Sequence, residues 1–435
     1  MDTRSKYESR FQAIALSCDA FTTAYLVMCL LFFVPYAVKH GGYIVLWFLP
    51  ISCVLPFAIM PIVYKLIHRF DTLLFGRYHI AMPLSAFLAA LFFVLTWSAT
   101  GGGAGAACLV FFCSTVFVEF IMTYRYCAFS VRARLSGSGI VNSSPLFIVF
   151  GGAGALAAIC AFIGFMKYDP ETVYVNTAYT VAGACVLLAL IQYLATHHGV
   201  PRLGGKRVQS VKDVFRAFYS GLDKRMYSSS LLFEAAFVTV AALISCMCID
   251  TEMSVVGLIS VVGVPVAVFA VSTLLGTKLI THRSIVLSVI NLICVILSTA
   301  VLIVLVFVKP TGGLLIFGMI AAAVPVGFGG AVAVRQTKIR FLTVKPLITG
   351  GTVYLLLELT MFAAVAVAFL SAAVVTTVQL FTSDNTAFVY GFAFAAALSI
   401  AAFCVAGKLP QRPPVPPAYS YEYGELQTTD DGNVQ

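Results

Sequence analysis

Four acidic residues interrupt long apolar stretches of this 435-residue sequence: Asp19, Glu119, Glu234 and Glu358. A charged side chain at the centre of a bilayer costs roughly 2.5–3.5 kcal/mol on insertion scales, so such residues usually face a cavity or a partner. A carboxyl group that faces a cavity can accept a hydrogen bond from a substrate or carry a proton. It can equally bond to neighbouring helices as a structural acid, and the sequence leaves both roles open.

Polar residues accompany three of these acids at helical spacing. Thr23 follows Asp19 by four residues, Tyr354 precedes Glu358 by four, and Glu119 belongs to a similar stripe. Residues spaced in this way share one face of a helix, and a polar face turned to lipid would be costly. We therefore expect these faces to line a central cavity. The predicted substrate-binding residues are Asp19, Thr23, Glu119, Thr123, Tyr126, Tyr354 and Glu358.

Glu234 and Arg125 receive different interpretations. Glu234 lies near the predicted cytoplasmic end of its helix, where its carboxylate can reach the polar membrane interface. Arg125 lies six residues after Glu119, on another helix face and nearer the cytoplasm. We expect Arg125 to be an interfacial anchor whose charged group extends towards water.

The elements that carry these residues are expected to be membrane-spanning helices. The chain is 60% hydrophobic and only 10% charged, whereas soluble globular proteins average about 25% charged residues. Backbone groups in lipid must be satisfied within the spanning segment, and a helix of ~20 residues does this. The predicted spans are residues 11–38, 43–66, 78–99, 105–129, 140–166, 172–196, 228–249, 253–278, 284–308, 312–335, 348–374 and 386–407.

The positive charges alternate between the connections. All but three of the 27 Lys and Arg residues lie at the termini or near every second connection, and the exceptions are Lys39, Lys167 and Lys309. Cytoplasmic loops of membrane proteins carry such an excess. The pattern predicts cytoplasmic N and C termini, supports the count of twelve spans, and explains the net charge of +9 without nucleic-acid binding.

The longest polar connection divides the spans into two groups of six. We predict an N-terminal six-helix half at 1–196, a basic cytoplasmic linker with an amphipathic helix at 197–227, a C-terminal half at 228–407 and a disordered cytoplasmic tail at 408–435. Two six-helix halves related as parallel repeats are the plan of the major facilitator fold. The predicted fold class is therefore an all-α membrane protein with twelve transmembrane helices in this arrangement.

Three stretches resemble one branch of the major facilitator superfamily, the glycoside–pentoside–hexuronide:cation symporters, which include the melibiose permeases. They are "SCDAFTTAY" at 17–25, "FGRYHIAMPLSAFLAALFFVLTW" at 75–97 and "VKDVFRAFYSGLDKRMYSSSLLFEAAF" at 211–237. The resemblance implies a secondary transporter and places Asp19 on an aspartate of the family. The chain is identified as a divergent member of this branch.

The residues that the resemblance assigns to the cation and sugar sites are mostly replaced. Met60 stands before Pro61 where the family has an aspartate, Thr123 replaces the aspartate of the fourth helix, and Phe362 lies near the expected lysine. A sodium site is therefore not expected, and a proton is the predicted coupling ion. No other cofactor and no metal is predicted, because no Cys/His metal spacing occurs among the 12 cysteines and 6 histidines.

Enzymatic and ATP-driven functions are not expected. No nucleophile–base constellation is present, and the glycine-rich stretches at 151–155 and 327–330 lack the Lys-Ser/Thr of a phosphate-binding loop. Glycines within apolar spans are more typical of close helix packing and bending.

The sequence therefore predicts a multi-pass cell-membrane transporter, monomeric, that moves a small polar solute such as a sugar or glycoside by alternating access. Two alternatives stay open: transport of an amphiphile such as a lysolipid, and a non-transporting sensor or scaffold on the same fold. The "PPAY" motif at Pro416–Tyr419 has the form of a WW-domain ligand and is the predicted contact for a tail-binding protein. The other partners are the substrate and the lipid bilayer.

Overall fold

All regular secondary structure in the described residues is helical. The computed structural model describes residues 18, 20–39, 43–69, 78, 80–98, 103–135, 144–168, 172–196, 224–249, 284–342, 350–382 and 385–407, with isolated positions between 259 and 272. The helices are α1 (20–39), α2 (Tyr43–Val54), α3 (Pro56–Arg69), α4 (Ala81–Ser98), α5 (Ala104–Leu135), α6 (Ser144–Tyr168), α7 (Val173–Thr196), α8 (Lys224–Ile249), α9 (Ser284–Val308), α10 (Gly313–Leu342), α11 (Gly350–Thr382) and α12 (Thr386–Ala406).

These helices coincide with the predicted spans. Within the described part of the chain, nine helical stretches are long and apolar enough to cross a membrane, and two shorter ones, Ile44–Met60 and Gly151–Met166, belong to the second and fifth spans. Most of the eighth predicted span lies outside the described residues. The same is true of linker residues 197–223, the tail from 408 onwards with Pro416–Tyr419, and Asp19.

Two spans depart from a regular α-helix. In α1, Met28–Phe33 is π-helical before the chain returns to α geometry at Val34. The second span is divided between α2 and α3 at Leu55, just before Pro56. Since proline has no backbone N–H and its ring clashes with the preceding turn, a break is expected there. The N–H of Ala58 donates to the Leu55 carbonyl at 3.0 Å and restarts the helix.

The helices pack as two groups. In the N-terminal group, α4 packs against α5 and α7, α2 against α5, and α6 against α7. In the C-terminal group, α8 packs against α10, α11 and α12, and α9 against α10 and α12. Contacts between the groups come chiefly from α11, which packs against α2 and α5, and from α1 against α8.

The two groups have different cores. Aromatic rings fill the N-terminal core, where the ring centroids of Tyr25 and Phe93 are 4.4 Å apart and those of Tyr25 and Phe117 are 5.1 Å apart. In the C-terminal group, small residues at four-residue spacing let α11 approach its neighbours, and Ala364, Ala368 and Ala372 are fully buried. Such stripes of small residues are typical of close helix contacts in membranes.

Gly154 marks the closest approach between α6 and α1. A Cβ atom added at Gly154 would lie 2.2 Å from the backbone oxygen of Ala20 and 2.7 Å from its Cα atom. Because both are backbone atoms, relief requires the helices themselves to move apart. Packing of the fifth span against the first therefore depends on this glycine.

We expect Gly154→Ala to destabilise the protein by about 1–3 kcal/mol, the usual cost of overpacking a filled interface. The matched control is Gly164→Ala on the same helix, where a Cβ atom meets nothing within 4 Å. Thermal unfolding of both variants in lipid nanodiscs measures the difference. Equal unfolding temperatures for the two variants would contradict this packing.

Candidate functional site

A cavity of about 310 Å³ lies between the two groups of helices. Its walls come from α1 and α6 of the N-terminal group and from α8, α10 and α11 of the C-terminal group, together with Val266 and Phe269. A volume of this size falls within the range of ~300–1,000 Å³ that is typical of ligand pockets. The cavity is therefore the candidate functional site.

Two of the walls are single faces of α1 and α8. On α1 the lining residues begin at Thr23 and recur at helical spacing through Leu26, Val27, Leu30 and Leu31. On α8 they begin at Glu234 and continue through Phe237, Val238, Ala241 and Ile244. Since ten residues of helix cover about 15 Å, the α8 face runs along most of a drug-sized ligand.

The polar side chains on the lining faces of α1 and α8 lie at one end of the cavity only. Among the lining residues that the structure describes, only Thr23 and Glu234 have polar side chains, and each is the first lining residue of its helix. Helix α1 is the first predicted span and α8 is the seventh. Because an even number of spans, six, separates their starts, the two helices run in the same direction across the membrane. Thr23 and Glu234 therefore lie towards the same end of the cavity.

Glycines form part of the opposite wall. Gly151 and Gly152 of α6 and Gly327 and Gly330 of α10 line the cavity. A Cβ atom at Gly330 would come within 3.5 Å of the Phe269 ring. The glycine-rich stretches thus combine close packing, as at Gly154, with open space at the cavity wall.

The structure separates the predicted site residues. Thr23 lines the cavity, whereas Glu119, Thr123 and Tyr126 are buried elsewhere on α5 and are not among its lining residues. Glu358 is buried on α11 and also does not line the cavity. Asp19 and the side chain of Tyr354 lie outside the described residues. Substrate binding by these seven residues remains a prediction.

Glu119 and Thr123 have an unusual environment on α5. Both carboxylate oxygens of Glu119 and the Thr123 Oγ1 atom are buried without a hydrogen-bond partner among the described residues. An ionised carboxylate is costly in such surroundings, because nothing replaces the water it has lost. The nearby Tyr126 ring instead packs edge-on against Tyr78, with 6.2 Å between the ring centroids.

Arg125 does not extend towards water, so that prediction is wrong. Its Nη2 atom donates to Glu358 Oε1 at 2.5 Å, and the two side chains are only 6% and 5% exposed. The two opposite charges compensate each other, which explains why an arginine is tolerated at this buried position. The pair connects α5 of one group to α11 of the other.

A second polar contact connects the groups at the other end of α11. The indole Nε1 of Trp47 in α2 donates to Thr377 Oγ1 at 3.2 Å. Thr377 lies 19 residues after Glu358, which corresponds to roughly 28 Å of helix, close to the ~30 Å thickness of the hydrocarbon core. The cavity residues Met361, Ala364 and Val365 lie between these two contacts.

Two further buried networks lie within the groups. In the N-terminal group, Tyr124 Oη donates to Gln192 Oε1 at 2.5 Å. In the C-terminal group, Asn291 donates to Gln336 at 2.9 Å, and Gln336 donates to Ser288 at 2.6 Å. None of these residues lines the cavity, so they connect helices within each group. No cluster of three metal-ligating side chains occurs among the described residues.

Glu234 is a cavity residue that the sequence did not predict. It was expected to reach the polar interface, yet it is buried and lines the cavity. Its spacing to Phe237, Val238, Ala241 and Ile244 marks one helix face. That spacing was a usable signal, but only the neighbouring helices show which face meets the cavity.

Comparisons with known proteins identify the architecture. No family model and no curated protein sequence matches the chain. Among solved structures, the nucleoside transporter NupG superposes with a TM-score of 0.63 at 14% identity, over 93% of this chain and 100% of NupG.

Two bacterial structures superpose almost as well. A bacterial homologue of the human lysosomal transporter Spinster, inward-facing and unoccupied, gives a TM-score of 0.58 at 15% identity over 93% of this chain and 96% of its own. A bacterial homologue of the iron transporter ferroportin, outward-facing, gives 0.58 at 14% identity over 92% and 98%. These similarities confirm the predicted fold class: the chain is a multi-pass membrane protein with the twelve-helix major facilitator fold.

Proposed function

We propose that the protein is a secondary transporter that works by alternating access. The observation that carries this proposal is the cavity between the two helix groups, which is lined by helices of both. Rocking of one group against the other would expose such a cavity to either side of the membrane in turn. The fold supports this mechanism, because solved structures with it are described as inward-facing in one case and outward-facing in another.

Two polar contacts between α11 and the N-terminal group are the proposed gates of this cycle. The Arg125–Glu358 pair holds α11 to α5 at one end, and the Trp47–Thr377 hydrogen bond holds it to α2 at the other. With the orientation that the positive charges predict, the ion pair lies at the cytoplasmic end. Opening towards the cytoplasm then requires Arg125 and Glu358 to separate.

The cavity walls favour an amphiphile over a sugar. A sugar presents hydroxyl groups on every side, and each one buried without a partner loses roughly 1–3 kcal/mol. Only Thr23 and Glu234 supply polar side chains among the described lining residues. Of the substrates expected from the sequence, an amphiphile such as a lysolipid is therefore the one we propose. We propose that the protein acts in the cell membrane, where the lipid bilayer surrounds it.

Proton coupling has a structural basis in Glu119. A buried carboxyl group without a partner is best accommodated when it carries a proton, and a change in its surroundings during rocking would release that proton. Arg125 on the same helix is the nearest charged residue in sequence among those described. Symport with a proton is proposed on this basis, and a sodium site is not.

The ion pair can be tested by a double-mutant cycle. Removing one partner leaves a buried uncompensated charge, so Arg125→Met and Glu358→Leu should each destabilise the protein by about 3–5 kcal/mol. The double variant should recover most of that loss, because apolar residues replace both charges. Thermal unfolding in nanodiscs measures all four states, and strictly additive losses would disprove coupling between the two residues.

Transport can be tested by uptake into proteoliposomes. We expect uptake of a fluorescent lysophosphatidylcholine to exceed that of labelled lactose, and Ala241→Phe to abolish the uptake by filling the cavity. Leu187→Phe is the control, since Leu187 is 59% exposed on the lipid-facing side of α7 and does not line the cavity. If neither compound enters faster than into protein-free liposomes, the sensor or scaffold alternative gains support.

Proton coupling predicts a change in the pH dependence of uptake. In the wild type, uptake of the same lysolipid should vary with pH, because Glu119 must bind and release a proton in each cycle. Glu119→Gln keeps the shape but removes the titration, so uptake should become independent of pH between mildly acidic and mildly alkaline buffers. An unchanged pH profile in this variant would exclude Glu119 as the coupling group.

A further inference from the structure

The apolar part of the cavity has a similar extent on two neighbouring helices. The lining residues run from Glu234 to Ile244 on α8 and from Thr23 to Leu31 on α1. On each helix the first of these residues is polar and every later one is apolar. The run on α8 corresponds to about 15 Å of helix, and the run on α1 is somewhat shorter. The cavity therefore has an apolar section whose length is set by its walls.

Helix packing closes the far end of this apolar section. The second half of α1, residues 28–39, packs against α8, and Ile244 of α8 is only 3% exposed. Helix α10 crosses in the opposite direction, and its lining residues begin at Val326. One turn before Val326, the Ala322 carbonyl accepts a hydrogen bond from Ser298 of α9 at 2.9 Å. Beyond Ile244 and Val326 the helices therefore contact one another rather than the cavity.

The opposite end of the cavity has space beside backbone. Gly154 of α6 lies against Ala20 of α1, where an added Cβ atom would meet the Ala20 backbone. Gly151 and Gly152 precede Gly154 on α6 and line the cavity. Because α6 is the fifth span and runs in the same direction as α1, these two glycines lie near the start of α1. A polar group that is too wide for the apolar section has room at this end.

The length of the apolar section limits an alkyl chain to a medium size. An extended polypeptide spans at most ~3.6 Å per residue, or about 1.2 Å for each of its three backbone bonds. An extended alkyl chain advances by a similar distance per carbon–carbon bond, so about twelve bonds fill a section of ~15 Å. The cavity volume of about 310 Å³ lies near the lower end of the ~300–1,000 Å³ range of ligand pockets. One chain suits this volume, whereas a second chain would need as much apolar space again.

We propose that the cavity selects a single-chain amphiphile by chain length, with a limit of about twelve carbons. Ile244 and Leu31 at the closed end set this limit. Leu31 belongs to the π-helical segment of α1, Met28–Phe33, and such segments are frequent at functional sites. The inference rests on the proposed function, because it names the class of amphiphile that the same cavity accepts.

A series of saturated lysophosphatidylcholines from hexanoyl to hexadecanoyl tests the proposal. Binding to the purified full-length chain in nanodiscs is compared with partition into protein-free nanodiscs. Each added methylene group should raise the affinity about fourfold, equivalent to ~0.8 kcal/mol, up to the dodecanoyl chain. Longer chains should gain no further affinity for the protein, while their partition into protein-free nanodiscs keeps rising. A monoacylglycerol series should show the break at the same length, because the apolar section contacts only the chain.

Variants at the closed end should move this break. Ile244→Phe shortens the apolar section and should move the break to decanoyl or below, whereas Ile244→Ala should move it to tetradecanoyl. The matched controls are Ile293→Phe and Ile293→Ala, since Ile293 is 50% exposed on α9 and does not line the cavity. A purely structural effect would lower the affinity for every chain equally and leave the break in place. If Ile244→Phe fails to fold, Ile244→Ala decides.

Two results would overturn the proposal: affinity that rises steadily to the hexadecanoyl chain, or a break that the Ile244 variants leave unchanged. Failure of the proposed function looks different. Lysolipid uptake that Ala241→Phe abolishes, combined with no break, would leave the transporter intact and remove the claim about chain length. A break that depends on Ile244, combined with no uptake, would leave a protein that binds single-chain amphiphiles without transporting them.

Discussion

The hydrocarbon core offers no hydrogen-bond partners, and this constraint governs the structure at every level. Backbone groups are satisfied within helices, as membrane spans require. Several hydroxyl groups are satisfied within a turn of their own helix: Thr22 Oγ1 donates to the Cys18 carbonyl at 2.8 Å and Thr376 Oγ1 to the Ala372 carbonyl at 2.6 Å. Other polar side chains find partners on neighbouring helices, as Ser298 does at the Ala322 carbonyl of α10.

The same constraint explains why we propose a functional role for the contacts between the two groups. Within a group, Gln192 bonds to Met82 of α4 and Gln336 to Asn291 of α9, in both cases across helices whose packing is extensive. Between the groups, Arg125 and Glu358 satisfy each other only while α5 and α11 stay together. Separating them leaves two charges that must find water. A hydrated opening at that end is therefore the state in which separation is least costly.

The spans could be predicted from the sequence because their signal is local. Apolar length sets where a helix crosses the bilayer, and Pro56 alone accounts for the break within the second span. Rotation of each helix about its axis is not a local property. For that reason the sequence indicates that Glu119 and Glu358 lie on apolar helices, where both are buried, while which acid meets the cavity depends on neighbours that one sequence does not reveal.

Arg125 shows most clearly that contacts between distant helices cannot be predicted from one sequence. Its partner Glu358 lies 233 positions away in the chain, and no spacing rule connects positions on different helices. The role of the glycines could be predicted, but not which glycine has it. Close helix contacts were expected, and Gly154 forms one. Gly151 and Gly327, only a few residues away in their own stretches, instead leave open space at the cavity.

The polar and apolar parts of the interface between the groups have separate locations, and this separation suits the proposed transport of an amphiphile. If the charged gate residues lined the cavity, the water that hydrates them would occupy the space that an apolar substrate needs. Here Arg125 and Glu358 lie outside the lining residues, and Glu234 stands at one end of an apolar wall. In the proposed cycle the gates hydrate and dry during rocking, while the cavity surface beyond Thr23 and Glu234 stays apolar.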